Sequence, residues 1–246
     1  MGQISGNDFT WDELPGHFPG FPDAGRWLPL LRRHHALLAQ AEHEVPVTTV
    51  DATDAPRRLY AESLETLRLA LEDAVDLPDV PQLIDIGSGG GFPGLVAAIL
   101  LPGWRVVLVE SLQKRAQLLD DAARKLGLEN VEVVAKRAED AGRDDRLRDN
   151  GDIVTARAVA ELRVLVEYAG PLCRAGGVVA LPKGSRLAGE LDEARSALAE
   201  LRLEVLRQAD MRAVVSATPW TLLLRKVGET PGRYPRRAGV PAKRPL

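Results

Sequence analysis

One segment restricts the fold of this chain more than any other. Leu83-Ile84-Asp85-Ile86 is a short apolar run that passes directly into Gly87-Ser88-Gly89-Gly90-Gly91-Phe92-Pro93-Gly94. The first four residues read as a buried strand ending in a glycine-dense turn. Leu95 to Leu101 reads as the helix that follows. Glycines at the turn let the backbone adopt positive φ and approach a ligand closely. A helix starting there points its free N–H groups at the same place. This is how an α/β protein builds a nucleotide or nucleoside pocket at the carboxyl edge of its sheet.

Downstream, strands and helices alternate. Strands are expected at 105–110, 131–135, 152–156 and 177–181, with helices at 113–126, 159–172 and 188–203 and a charged, irregular or helical stretch up to Asn150. Two late strands, 204–208 and 221–226, are close enough to pair as an antiparallel edge. The alternation predicts an α/β fold with a doubly wound, mostly parallel sheet of seven strands. Upstream, Trp27, Leu30, Leu31, Leu37, Leu38 and Ala41 fall at helical spacing, and a second helical pattern spans Tyr60 to Leu71. The expected organisation is a loosely ordered segment 1–24, a small N-terminal helical cap 25–75, a ligand-binding domain 76–228 and a basic tail 229–246. The prolines of the tail argue for an extended strand of chain rather than a helix.

The balance of 32 Lys and Arg against 35 Asp and Glu gives a net charge of −3, so any basic surface has to be local. One cysteine, Cys173, excludes a disulfide framework and a zinc cluster and suits a reducing compartment. It reads as a small core residue at a helix end. His17, His34, His35 and His43 show no metal-ligand spacing, with His34 and His35 placed on a helix flank, and no metal is expected. The N-terminus lacks a basic start followed by an apolar stretch, and no apolar run reaches membrane-spanning length. The expectation is a cytoplasmic protein with no membrane association.

Two ligand classes use a glycine turn after the first strand. Gly89-x-Gly91-x-x-Gly94 satisfies the letters of a dinucleotide fingerprint, whereas the frame starting at Gly87 ends on Phe92. Glu110, closing the second strand, suits a ribose diol in either class. Asp85 separates them. A carboxylate just before the turn disfavours a pyrophosphate but favours the sulfonium and ammonium of S-adenosylmethionine. The alternative role for Asp85 is a structural one, capping the turn. Ala138-Glu139, just past the third strand, sits where an adenine edge would lie.

The methyl acceptor is narrowed by elimination. Pyrimidine-carbon methylation uses a cysteine nucleophile, and Cys173 is poorly placed for that. Adenine-amine methylation favours an Asn/Asp-Pro-Pro-aromatic turn after the fourth strand, where this chain has Ala156-Arg157-Ala158-Val159. An atom that is nucleophilic without a base, such as guanine N7, fits what remains, and the enzyme then contributes position.

These motifs carry a resemblance. Asp85 to Gly94, Ala138-Glu139, Ala156-Arg157-Ala158, Lys183-Gly184 and the terminal Tyr234-Pro235-Arg236-Arg237-Ala238-Gly239-Val240-Pro241-Ala242-Lys243-Arg244-Pro245-Leu246 resemble the RsmG/GidB family. The resemblance implies a class I, Rossmann-like methyltransferase fold and transfer of a methyl group from S-adenosylmethionine to guanine N7 of 16S ribosomal RNA. It places Gly87, Phe92, Glu110, Ala138, Glu139 and Arg157 around the cofactor, with Ser111 and Leu112 beside the ribose or adenine. Asp85, Gly89 and Gly91 join them from the turn itself. Val47-Thr48-Thr49 and Tyr60-Ala61-Glu62-Ser63-Leu64 depart from the family's usual Asn-Leu-Thr and His-x-x-Asp-Ser-Leu.

Arg157 is the candidate for orienting the guanine through O6, or for binding the cofactor carboxylate; the alternative is an ion pair with a neighbouring acid. Lys183 is set to contact phosphate or to snorkel at a loop. Arg233, Arg236, Arg237, Lys243 and Arg244 would neutralise RNA phosphates while Tyr234 stacks on a base, against the alternative of a merely solvated tail. The expected partner is 16S RNA, the small ribosomal subunit or its assembly intermediate, bound by a monomer. A nicotinamide-dependent oxidoreductase and a non-catalytic ribosomal RNA-binding or assembly factor remain the competing readings.

Overall fold

A computed structural model describes residues 10–41, 45–214 and 219–246. His43 and residues 1–9 of the expected loose N-terminal segment lie outside the described residues. Seven strands form one sheet: β1 (Gln82–Ile86), β2 (Arg105–Val109), β3 (Val131–Val134), β4 (Gly151–Ala156), β5 (Cys173–Lys183), β6 (Leu203–Asp210) and β7 (Trp220–Lys226). Their order is β3-β2-β1-β4-β5-β7-β6, with β7 antiparallel to both of its neighbours and every other pair parallel. The chain winds outward from β1 to β3 and then returns to the other side of β1 as β4. The topological switch point therefore lies between β1 and β4, where a doubly wound sheet opens a crevice at its carboxyl edge.

Strand alternation divides the interior into two cores. Leu83, Val106, Leu108, Ile153, Val178 and Leu223 face one side; Ile84, Ile86, Val107, Val109, Val154, Val179 and Leu224 face the other. The first side is covered by α2 (Ala24–Ala41), α3 (Glu62–Asp73), α4 (Gly94–Leu100) and α5 (Gln113–Leu126). Those helices share one continuous core with the sheet, so the N-terminal helices are built into the main body. The second side is covered by α6 (Ala138–Ala141), α7 (Leu162–Ala169), α8 (Leu187–Glu193) and α9 (Arg195–Glu200).

Several expectations need correction. Residues 10–24 do not lie loosely on the surface. They contain α1 (Leu14–His17), and Leu14, Phe18 and Phe21 are buried in the first core, where the Phe21 carbonyl accepts the indole N–H of Trp27 at 3.2 Å. Gly and Pro dominated the composition there, but spaced apolar side chains decide burial. The helix expected from Val159 begins only at Leu162, because Glu161 is an extended N-cap with φ −60° and ψ +154°. The helix expected over 188–203 is two helices broken at Ala194, and Leu203 already belongs to β6. Cys173 opens β5 rather than ending a helix; burial pushes its thiol up to about 12, so it stays a protonated core residue.

The C-terminal segment departs furthest from its expectation. It folds back along the second side of the sheet and includes a helical turn, α10 (Val240–Lys243), introduced by Gly239 at φ +81°. Pro241 sits in the first turn of that helix, where a missing N–H costs nothing. Among the described residues no helix is long and apolar enough to cross a membrane, and no cluster of His, Cys, Asp or Glu is arranged to hold a metal.

Candidate active site

The glycine turn follows β1 at the switch point. Gly87, Gly89 and Gly91 have φ of +66°, +54° and +91°, so three successive odd positions need the left-handed region that a side chain disfavours. A β-carbon on Gly87 would lie 2.7 Å from Val159 Cγ2, and one on Gly91 2.6 Å from Leu95 Cβ. The turn is thus closely packed as well as strained for any other residue.

Asp85 holds this turn from beneath. Its side chain has no exposed surface; the Thr155 hydroxyl donates to Oδ1 at 2.7 Å and the Gly94 N–H donates to Oδ2 at 3.2 Å. Burial pushes its carboxyl up to about 6, against those hydrogen bonds and the nearby charge of Arg157. Asp85 thus takes the structural role kept open for it in the sequence, holding the glycine turn from beneath. Register explains this role, because Asp85 pairs with Thr155 across β1 and β4 and turns into the protein beside the first turn of α4.

Glu110 performs a related task from β2. Its Oε2 accepts the Gly89 N–H at 3.0 Å and its Oε1 accepts the Leu112 N–H at 2.8 Å, which ties the glycine turn to the next loop. Behind the turn, His34 of α2 is fully buried between Gly90 and Tyr60. Its Nε2 lies 2.9 Å from the Gly90 carbonyl and its Nδ1 3.1 Å from the Tyr60 hydroxyl. Burial pushes the imidazole down to about 4, so it is neutral near pH 7; it donates from Nε2 and accepts the Tyr60 O–H at Nδ1. Phe92 also points backward. It packs edge-on against Tyr60 at 5.1 Å and beside His34 at 5.2 Å, while Arg157 of the cleft lies over its ring at 5.9 Å.

Above the turn, the carboxyl edge of the sheet carries two adjoining recesses. The first, about 250 Å³, is lined by Gly87, Ser111, Ala138, Glu139, Tyr168 and Gly239, among others. Leu112 stands exposed beyond it. The second, about 230 Å³, is bordered by Glu62, Arg157, Ala158, Lys183, Gly184 and Glu190. Ala160 lines both, so the two recesses lie side by side over the ends of β1, β4 and β5. A larger cavity of about 440 Å³ lies between α2 and α5, away from the glycine turn.

In the second recess, Arg157 pairs with Glu62 through Nε and donates from Nη2 to the Arg58 carbonyl at 3.1 Å. The ion pair foreseen as the alternative for Arg157 is present, and the residue still borders the cleft. Lys183 pairs with Glu190, whose Oε2 also accepts the Leu162 N–H at 2.9 Å. Its ammonium is thus engaged within the protein rather than presented as a free phosphate contact.

The tail cations divide in two. Arg236 binds both oxygens of Glu167, a fully buried carboxylate of α7, while Arg233 and the Tyr234 hydroxyl both reach Glu200. Tyr234 is itself buried, which removes the base-stacking surface expected of it. Arg237, Lys243 and Arg244 remain exposed and form no ion pair among the described residues. The Gly239 N–H donates to Glu139 Oε1 at 2.7 Å, so the tail supplies part of the wall of the first recess.

Sequence reasoning missed His34, Tyr60, Thr155, Glu62 and Tyr168 as parts of this site. Only Tyr168 had a local signal, as a polar-tipped aromatic on the helix after β4. Of the others only Glu62 borders the cleft, while His34, Tyr60 and Thr155 support the turn from the core; strand register and the docking of the N-terminal helices bring them there.

Residues 30–215 match the family described as GidB, rRNA small subunit methyltransferase G. The chain is 42% identical over 221 residues to a protein named ribosomal RNA small subunit methyltransferase G from Roseiflexus castenholzii, covering 90% of this chain and 92% of that one. It is 46% identical over 166 residues to a protein of the same name from Lactobacillus delbrueckii subsp. bulgaricus, covering 67% and 70%. Among solved structures, cofactor-bound Rv0187 from MTB shares the fold, with a TM-score of 0.59 at 22% identity over 92% of this chain and all of that one. With a family match across residues 30–215 and 42% identity over 90% of its length to a named member, the chain belongs to the GidB family, rRNA small subunit methyltransferase G.

Proposed function

We propose that this protein transfers a methyl group from S-adenosylmethionine to N7 of a guanine in 16S ribosomal RNA. The observation that carries the reading is the divided cleft, one recess beside the glycine turn and a charged one next to it, with Ala160 lining both. Gly87 lines the first recess, where a backbone without a side chain lets the cofactor approach closely, and Gly89 and Gly91 hold the turn behind it. Ile86, Val109, Ala138 and Val159 offer an apolar slot for adenine, with Ser111 and Glu139 at its polar rim. Glu110 retains lone pairs beyond the two N–H groups it binds and remains available to a ribose hydroxyl.

S-adenosylmethionine supplies an electrophilic methyl carbon when bound. The guanine N7 lone pair forms the new C–N bond as the C–S bond breaks in line, and the bonding pair leaves on sulfur. The positive charge passes from sulfur to the purine ring and no proton is lost at that step. The protein therefore has to position two reactants rather than supply a base. Arg157, which borders the second recess, would donate to the guanine O6. Exposed Arg237, Lys243 and Arg244 provide phosphate contacts beside the cleft.

The test combines purified protein and methyl-labelled S-adenosylmethionine with undermethylated 30S subunits, naked 16S RNA, or ribosomal protein. Label recovered as 7-methylguanosine is the expected result. Label absent from RNA under every condition, or cofactor affinity shown only for a nicotinamide dinucleotide, sinks the reading.

A further inference from the structure

The second recess is walled by an ion pair whose carboxylate, Glu62, has no assigned role. Arg157 and Glu62 stand side by side at its wall, one a donor and the other an acceptor, and Glu62 is almost wholly buried with 1% of its surface exposed. Arg157 Nε takes Glu62 Oε1 and Nη2 takes the Arg58 carbonyl, which leaves Nη1 of the guanidinium and Oε2 of the carboxylate without a hydrogen bond among the described residues. Neither is among the sealed, unpartnered side-chain atoms of the described residues, so each keeps contact with solvent and is open to a ligand. Among the described residues the other carboxylate on this recess, Glu190, is committed: its Oε2 binds both Lys183 and the backbone at the start of α7.

The position relative to the cofactor turn is also specific. The segment that follows Arg157 abuts Gly87, because Val159 Cγ2 would lie 2.7 Å from a β-carbon there. Ala158, between them, adopts φ +53° without being glycine, a strained conformation of the kind held only by its surroundings and found at functional positions. The recess therefore adjoins the glycine turn, with the ion pair on its wall.

Guanine carries the acceptor O6 beside the donor N1–H. A guanidinium beside a carboxylate presents the complementary order. Adenine reverses it, with a 6-amino donor where guanine has O6 and a bare N1 acceptor where guanine has N1–H. In the same pose, adenine would set donor against Arg157 and acceptor against Glu62.

Resting on the proposed activity, we infer that Glu62 and Arg157 act as one reader that selects guanine, Arg157 donating to O6 while Glu62 accepts the N1–H. The target nucleotide must then be unpaired when it reacts, since N1–H is part of its Watson–Crick edge.

The experiment uses 16S RNA fragments, assembled into the particle if the naked RNA is inert, with the target guanosine replaced singly by inosine or by 2-aminopurine riboside. Inosine keeps O6 and N1–H and loses only the 2-amino group; 2-aminopurine loses both O6 and N1–H. Wild-type kcat/KM should stay within a few-fold for inosine and fall by about 100-fold for 2-aminopurine. In Glu62→Gln, checked for cofactor affinity and melting temperature, guanosine should lose most of its advantage over 2-aminopurine. A merely structural role for Glu62 slows both substrates by the same factor and leaves their ratio intact. Equal wild-type rates on guanosine and 2-aminopurine overturn the inference without any variant. Wild-type protein that methylates no guanosine at all would instead remove the proposed activity itself.

Discussion

The glycine turn at residues 87–94 and the C-terminal segment at 229–246 both looked like ligand-binding motifs, yet they are held in place by different physics. The turn is defined by its own backbone: three glycines at positive φ, with β-carbon positions already filled by Val159 and Leu95. Little outside the segment is needed to see why other residues fail there. The tail is defined by its partners. Arg236 is fixed by Glu167, Arg233 and Tyr234 by Glu200, and Gly239 by Glu139, all from elements far away in the chain. A run of cations reads the same whether it faces phosphate or a buried carboxylate, so charge alone could not distinguish an RNA-binding arm from an internal strap.

That contrast is open to direct attack, and the largest effect is expected at the turn. Gly91→Ala adds a β-carbon against Leu95 at φ +91° and should cost roughly 2–5 kcal/mol of stability, from backbone strain plus overpacking. It should also remove measurable S-adenosylmethionine binding in calorimetry. Unaltered affinity would mean that the turn does not need its left-handed backbone.

Glu167→Ala probes the strap. Removing a fully buried carboxylate leaves the Arg236 guanidinium unpaired, and about 3 kcal/mol should be lost in denaturant titration. A loss confined to RNA affinity, with stability intact, would restore the tail as a free arm. The smallest effect belongs to the exposed cations. Replacing Arg237, Lys243 and Arg244 together by alanine should leave the melting temperature unchanged and reduce the salt-dependence slope of RNA binding by about 2. An identical slope would assign those residues to solubility alone.

The turn was legible because its requirement is local. Gly87, Gly89 and Gly91 announce their conformation in their identity, and the apolar runs on either side announce a strand and a helix. Asp85 shows the limit of that reading. Its spacing from the glycines was visible, but whether it faced the ligand or the interior depended on Thr155 in β4, 70 positions away. Residues 10–24 failed for a related reason: Gly and Pro set the composition, while Leu14 and Phe18, four positions apart, fill one helical face that only the packed core reveals.

Periodicity and glycine placement in the linear chain were enough to determine a wound α/β sheet, its strand succession and the location of a ligand turn, because each of these follows from backbone geometry and from side chains alternating or repeating along a single element. The partners of the charged groups were decided only when the elements met. Electrostatic pairing acts through space: β1 and β4 had to align before Asp85 was sealed, α3 had to dock before Glu62 reached Arg157, and the C-terminus had to fold back before its arginines found Glu167 and Glu200.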